Sequence, residues 1–98
     1  MKQITANDVA TKLENGEALN IIDVRETSEV AQGKISGAVN IPLGLIEFRL
    51  NELDKNKEYI VVCLSGGRSS MATSILESQG FNVTNMVGGM MAWQGPVE

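Results

Sequence analysis

Histidine is missing altogether from this sequence of 98 residues, and cysteine occurs once, at position 63. The first absence removes Ser-His and Cys-His catalysis and the commonest zinc or iron ligand, so no metal and no resident cofactor is expected. The second removes any internal disulfide and any multi-cysteine zinc site. No apolar run approaches the ~20 residues of a membrane span, and the opening "MKQITANDVA" lacks the apolar centre of a signal peptide. The expectation is a cytoplasmic protein in reducing surroundings, with no membrane partner. Positive charge is also short: eight Lys and Arg stand against twelve Asp and Glu, a formal net charge of −4. Such a field does not favour nucleic acid or anionic lipid, so any attraction for an anion has to be local.

What is present reads as one globular domain over residues 1–98. Hydrophobic residues make up 43% of the chain and charged ones 20%, a globular rather than a disordered balance. There is no repeat, no low-complexity tract and no linker. Strand and helix patterns alternate. "ITANDVATKLENG" offers Thr5 or Asn7 as an N-cap, Val9 and Leu13 at helical spacing, and Gly16 as a stop. "LNIIDV" (19–24) reads as a buried strand, "TSEVAQG" (27–33) as two turns of helix, and "GAVNIPLG" (37–44) as a short strand. "LIEFRLNEL" (45–53) has the apolar face of a helix at 45, 46, 50 and 53. "YIVVC" (59–63) is an uninterrupted strand-type run. A helix follows over 68–80 with Met71, Ala72, Ile75 and Leu76 inward, then a strand in 82–89 and final helical turns in "MMAWQG". Alternation of this kind implies an α/β fold, a mostly parallel sheet with helices on both faces.

In open sheets of this class ligands bind beyond the carboxyl ends of the strands. Cys63 falls at such an end, on what should be a central strand, and the next helix begins about five residues later. The intervening "LSGG" must curl tightly, which glycines permit through positive φ. Backbone N–H groups of Leu64, Ser65, Gly66, Gly67, Arg68 and Ser69 would then turn toward the sulfur, and the helix N-terminus adds partial positive charge. A thiol placed there should be largely ionised near pH 7 and nucleophilic without a histidine. A lone cysteine at a strand end is by itself an ordinary small hydrophobe. Strand, Cys, two glycines, Arg, Ser and helix together form a far more specific arrangement.

Four segments in order resemble the single-domain rhodaneses of the thiosulfate sulfurtransferase family. "IIDVRE" (21–26) is similar to the family's Asp-Val-Arg segment, and "GKISGAVNIP" (33–42) to its Gly-His-Ile-x-Gly-Ala-x-Asn-Ile-Pro segment. "CLSGGRS" (63–69) resembles the Cys-x-x-Gly-x-Arg-Ser loop, and "MVGGMMAW" (86–93) the closing Gly-Gly-x-x-x-Trp. Lys34 stands where the family usually has histidine, a position read as structural. The resemblance implies a rhodanese-like fold and a sulfur relay. Cys63 would attack the outer sulfur of thiosulfate or another persulfide donor, small or protein-borne, and hold it as a persulfide. A thiol or cyanide would then accept it. With no second cysteine the acceptor is external, and the chain is expected to be a monomer.

Two other classes are open to such a chain. A Cdc25-type phosphatase shares the fold and a Cys/Arg anion cradle. Its loop has five residues between the pair, whereas Cys63 and Arg68 have four, a ring suited to one sulfur atom rather than a tetrahedral phosphate. A non-catalytic interaction or sulfur-carrier module of this fold is the other, and its silent examples typically lose the cysteine. Individual side chains leave choices too. Arg68 either meets the sulfonate of thiosulfate or braces the loop on Asp23 or another carboxylate. Ser65 and Ser69 can donate to the sulfur, and Ser69 can equally cap the helix. Asp23 with Arg25 reads as an ion pair or loop anchor rather than catalytic, Arg49 as solvated, Met71 as core. Trp93 is expected to pack over the last strand and helix, with Met90 and Met91 nearby as a docking patch if exposed.

Overall fold

The computed structural model describes all 98 residues. Its centre is a five-stranded, wholly parallel sheet of β1 (Lys2–Thr5), β2 (Asn20–Asp23), β3 (Val39–Asn40), β4 (Glu58–Val62) and β5 (Asn82–Val87), in the order β1-β5-β4-β2-β3. Helix α1 (Ala6–Glu14) packs on one face, while α3 (Gly67–Ser78) and two 3₁₀ segments, Leu43–Phe48 and Leu50–Glu52, cover the other. The single-turn α2 (Thr27–Val30) follows β2, and a 3₁₀ turn over Gly89–Ala92 follows β5. No helix is long and apolar enough to cross a membrane.

Period-two alternation assigns each strand residue to a core. Along β4 and its extension, Tyr59, Val61 and Cys63 belong to the cluster under α3, and Val62 to the cluster under α1. Both faces being buried, the segment reads as a continuous apolar run, which is why "YIVVC" looked like a central strand. It is the central one: β4 has β5 and β2 as neighbours. The alternation also fixes the direction of Cys63, toward the side where α3 begins.

Several expectations hold. Thr5 is the N-cap of α1, its side chain accepting from the Asp8 N–H at 3.1 Å. Gly16 lies just past the end of that helix at φ +81°. Three do not. Met71 is 59% exposed, not core. The arc of α3 that meets the sheet is Ser69, Ala72, Thr73 and Leu76, and a residue at 71 points away from it. The stretch 45–53 is not one α-helix, and Leu45 is exposed while Ile46 is fully buried. A 3₁₀ turn repeats every three residues, aligning Leu43 with Ile46 and Leu50 with Leu53 instead. Finally, β1 was invisible in "KQIT", where only Ile4 is even half-buried. Its strand character comes from parallel pairing with β5, Lys2 opposite Thr84 through Thr5 opposite Val87.

Candidate active site

β4 ends at Val62, and Cys63 closes the middle of the sheet at its carboxyl end. Two backbone bonds from the turn after β5 pin this end: Met90 N–H donates to the Cys63 carbonyl at 2.8 Å and Met91 N–H to the Leu64 carbonyl at 2.9 Å. The chain then reverses through Gly66, whose φ of +112° only glycine adopts freely, into the first turn of α3. The reversal aims the Gly66 N–H at the Cys63 sulfur, 3.0 Å away.

Cys63 is 1% exposed. Burial is the largest single influence on its thiol and pushes its pKa up. The hydrogen bonds from the Ser69 hydroxyl and from the Ser69, Gly66 and Ser65 N–H groups together outweigh it, so the thiol ionises below its ordinary value. Of the six residues after Cys63, these three supply the N–H groups that act on the sulfur. Leu64, Ser65 and Gly67 form the exposed rim, Ser65 being exposed while its backbone N–H acts on the sulfur.

Ser69 resolves one of the open choices. It is fully buried, on the third residue of α3, and does not cap the helix; Gly66 occupies the cap position. Its Oγ lies 3.4 Å from the Cys63 sulfur, 3.1 Å from the Gly66 carbonyl oxygen and 2.5 Å from Asn85 Oδ1. In the thiol form Cys63 S–H donates to Ser69 Oγ, whose own proton goes to Asn85; on ionisation the hydroxyl can turn toward the sulfur. Asn85 escaped the sequence reading. The available signal was a polar residue at an inward position of β5, two after buried Val83. Hydrogen bonds to the thiolate favour it, so Ser69→Ala should move the alkylation-versus-pH curve of Cys63 upward. At neutral pH the rate should fall by about tenfold, the scale of one hydrogen bond to a charged group. Iodoacetamide kinetics on the folded variant measure this, and an unmoved curve would show the hydroxyl irrelevant to ionisation.

Arg68 takes the bracing alternative, with Glu29 as its carboxylate. Two parallel contacts join them, Nη1 to Oε1 at 2.5 Å and Nη2 to Oε2 at 2.8 Å. The Arg68 hydrogen bond, then the Glu26 N–H, hold the Glu29 carboxyl down at about 2, so the pair stays closed throughout the neutral range. Asp23 and Arg25 form the structural pair expected of them. Arg25 Nε and Nη2 reach the Asp23 carboxylate at 2.8–3.1 Å, Nη2 also donates to the Gly33 carbonyl at 2.8 Å, and both residues are buried. Asn40 Nδ2 donates to the carbonyls of Asp23 and Arg25 at 2.8 and 2.9 Å, fixing the bend after β2. Away from the site, Arg49 is paired with Glu52. Lys34 donates to the Ala38 carbonyl at 3.1 Å. Trp93 is half-buried against the α1-side core, and Met91 is 74% exposed.

The four cavities of the molecule are lined by other residues, with neither Cys63 nor residues 64–69 among them. The buried sulfur lies beneath the exposed loop residues Leu64, Ser65 and Gly67. Such a site holds a potential sulfur nucleophile under inward-pointing hydrogen-bond donors.

Comparison with known proteins places the family and the fold. The family model described as "Rhodanese-like domain" matches residues 5–96. The Bacillus subtilis protein YtwF, whose sulfurtransferase name is provisional, is 46% identical over 95 residues, covering 97% of this chain and 92% of that protein. A protein of Allochromatium vinosum named "Sulfurtransferase" is 34% identical over 94 residues, with 95% and 88% covered. Among solved structures, a rhodanese-like domain protein from Staphylococcus aureus superposes with a TM-score of 0.94 at 38% identity, covering all of this chain and 97% of that one.

Proposed function

The chain belongs to the rhodanese-like domain family, and from that premise we propose that it transfers sulfane sulfur through a persulfide on Cys63. Its relatives support sulfur transfer in general; the donor, the acceptor and the residue roles are our reading. The observation that carries it is the Gly66 N–H 3.0 Å from a sulfur whose pKa is pulled down without any base. A thiol that ionises more readily than an ordinary one has less need of a proton acceptor before it attacks.

In the first half-reaction the Cys63 thiolate attacks the outer sulfur of the donor. With thiosulfate the S–S bond breaks, sulfite departs with its electron pair, and Cys63–S–S⁻ remains. With a persulfide R–S–SH the leaving group is R–S⁻, which takes up the proton. The persulfide charge rests on the outer sulfur, where the loop amides favour it much as an oxyanion hole favours a developing oxyanion. In the second half-reaction an external thiol attacks that outer sulfur and regenerates the Cys63 thiolate; cyanide would leave as thiocyanate. No second cysteine exists to receive the sulfur internally.

The test is the intact mass of the protein after incubation with thiosulfate or a low-molecular-weight persulfide. A gain of one sulfur atom is expected, lost again on adding a thiol and absent in Cys63→Ser. If Cys63 alkylates readily at neutral pH yet gains sulfur from no donor, sulfur transfer is wrong and a non-catalytic module of this fold is left.

A further inference from the structure

We propose that the Arg68–Glu29 pair sets donor specificity: by holding the loop's one guanidinium on a carboxylate, it disfavours thiosulfate and favours persulfides without a second anionic group. This rests on the sulfur relay proposed above and adds the class of donor.

Thiosulfate is a dianion, and half of it is a sulfonate that must sit beside the site while the Cys63 thiolate, itself negative, approaches the outer sulfur. A rim that accepts it needs a free cation or a spare set of donors. Arg68 is the only cation in the loop, and both ends of its guanidinium are closed on Glu29 Oε1 and Oε2. Arg25 is buried and engaged by Asp23 and by the Gly33 carbonyl. Lys34 and Arg49 are taken by Glu98 and Glu52. Lys57 immediately precedes β4 and so lies at the opposite end of the sheet from Cys63. Exposed Glu26 adds further negative potential beside Arg68. Seating a sulfonate on Arg68 would mean either displacing a bidentate carboxylate that stays ionised at any neutral pH or approaching a guanidinium whose charge that carboxylate already neutralises. A persulfide such as 2-hydroxyethyl persulfide asks for nothing of the kind. Its only ionisable group is the sulfur being transferred, and that atom goes to the loop amides.

The decisive quantity is the ratio of kcat/KM for thiosulfate to kcat/KM for 2-hydroxyethyl persulfide, because general damage to the loop cancels in it. Glu29→Gln keeps an oxygen to accept the Glu26 N–H that caps α2 but loses the charge, freeing Arg68. The ratio should rise by about tenfold, the effect of one newly available charged hydrogen-bond donor. Glu29→Gln combined with Arg68→Ala should return the ratio to near its wild-type value, since the pair is then removed with no change in net charge and the gain needs the freed guanidinium. A ratio that stays raised in the double variant would overturn the proposal, as the gain would then come from the lost carboxylate charge and not from Arg68. A Glu29→Gln protein that loses both donors equally would overturn it too, reducing the pair to a brace. Either result decides without the other. Sulfur uptake from neither donor by the wild-type protein is a different result, which removes the relay itself and the selectivity with it.

Discussion

Arg25→Ala is expected to destabilise the fold by about 3–5 kcal/mol, the cost of leaving one partner of a buried ion pair uncompensated. Asp23 has no exposed surface and takes its bonds from Arg25, side chain and backbone N–H alike. Removing the guanidinium leaves that buried carboxylate, at the end of β2, without its side-chain partner. It also strips the Gly33 carbonyl of its donor. Against a typical domain stability of about 5–15 kcal/mol this loss brings the chain close to unfolding. Urea denaturation followed by circular dichroism would measure it. A loss below about 1 kcal/mol would mean that Asp23 finds other partners and that the pair does not hold the bend after β2. Replacing Asp23 and Arg25 together by apolar residues of similar volume should recover much of the stability, because no unpaired charge is then left behind.

Gly89→Ala should damage stability and site together. Gly89 is fully enclosed at φ +58°, and a Cβ there would land on the Leu64 carbonyl oxygen and 2.6 Å from that of Cys63. Neither oxygen is free to retreat, since they accept from Met91 and Met90. The left-handed conformation costs a side-chain-bearing residue about 1–2 kcal/mol, and overpacking against backbone adds about 1–3 kcal/mol. Relief can come only by shifting the segment that carries Cys63, so neutral-pH alkylation of the thiol should slow by about tenfold or more, in proportion to the lost amide contacts. Gly67→Ala is the control: nothing lies within 4 Å of the added carbon and its φ is not left-handed. Equal behaviour of the two variants in unfolding and alkylation would disprove the mechanical link between the turn after β5 and the loop.

Legibility in the sequence followed the range of the interactions involved. The loop geometry was readable because its determinants are local: a strand end, two glycines and a helix start within a few residues of Cys63. The Asp23–Arg25 pair was readable for the same reason, its members being two residues apart. Asn85 was not, since its approach to Ser69 depends on β5 lying beside β4, and Glu29 was not named because its partner is 39 residues away. Met71 shows the opposite failure. Its hydrophobicity suggested the core, yet the orientation of α3 on the sheet, set by Ser69, Ala72 and Leu76, leaves it in solvent.

By itself the sequence determined the alternation of strands and helices, the central place of "YIVVC", and the cysteine at the mouth of the sheet, because periodicity and turn chemistry act between near neighbours. Tertiary structure alone decided which carboxylate holds Arg68, which side chain faces Ser69, and that the turn after β5 clamps the loop. Those contacts join segments that only sheet pairing brings together, and no local pattern records them.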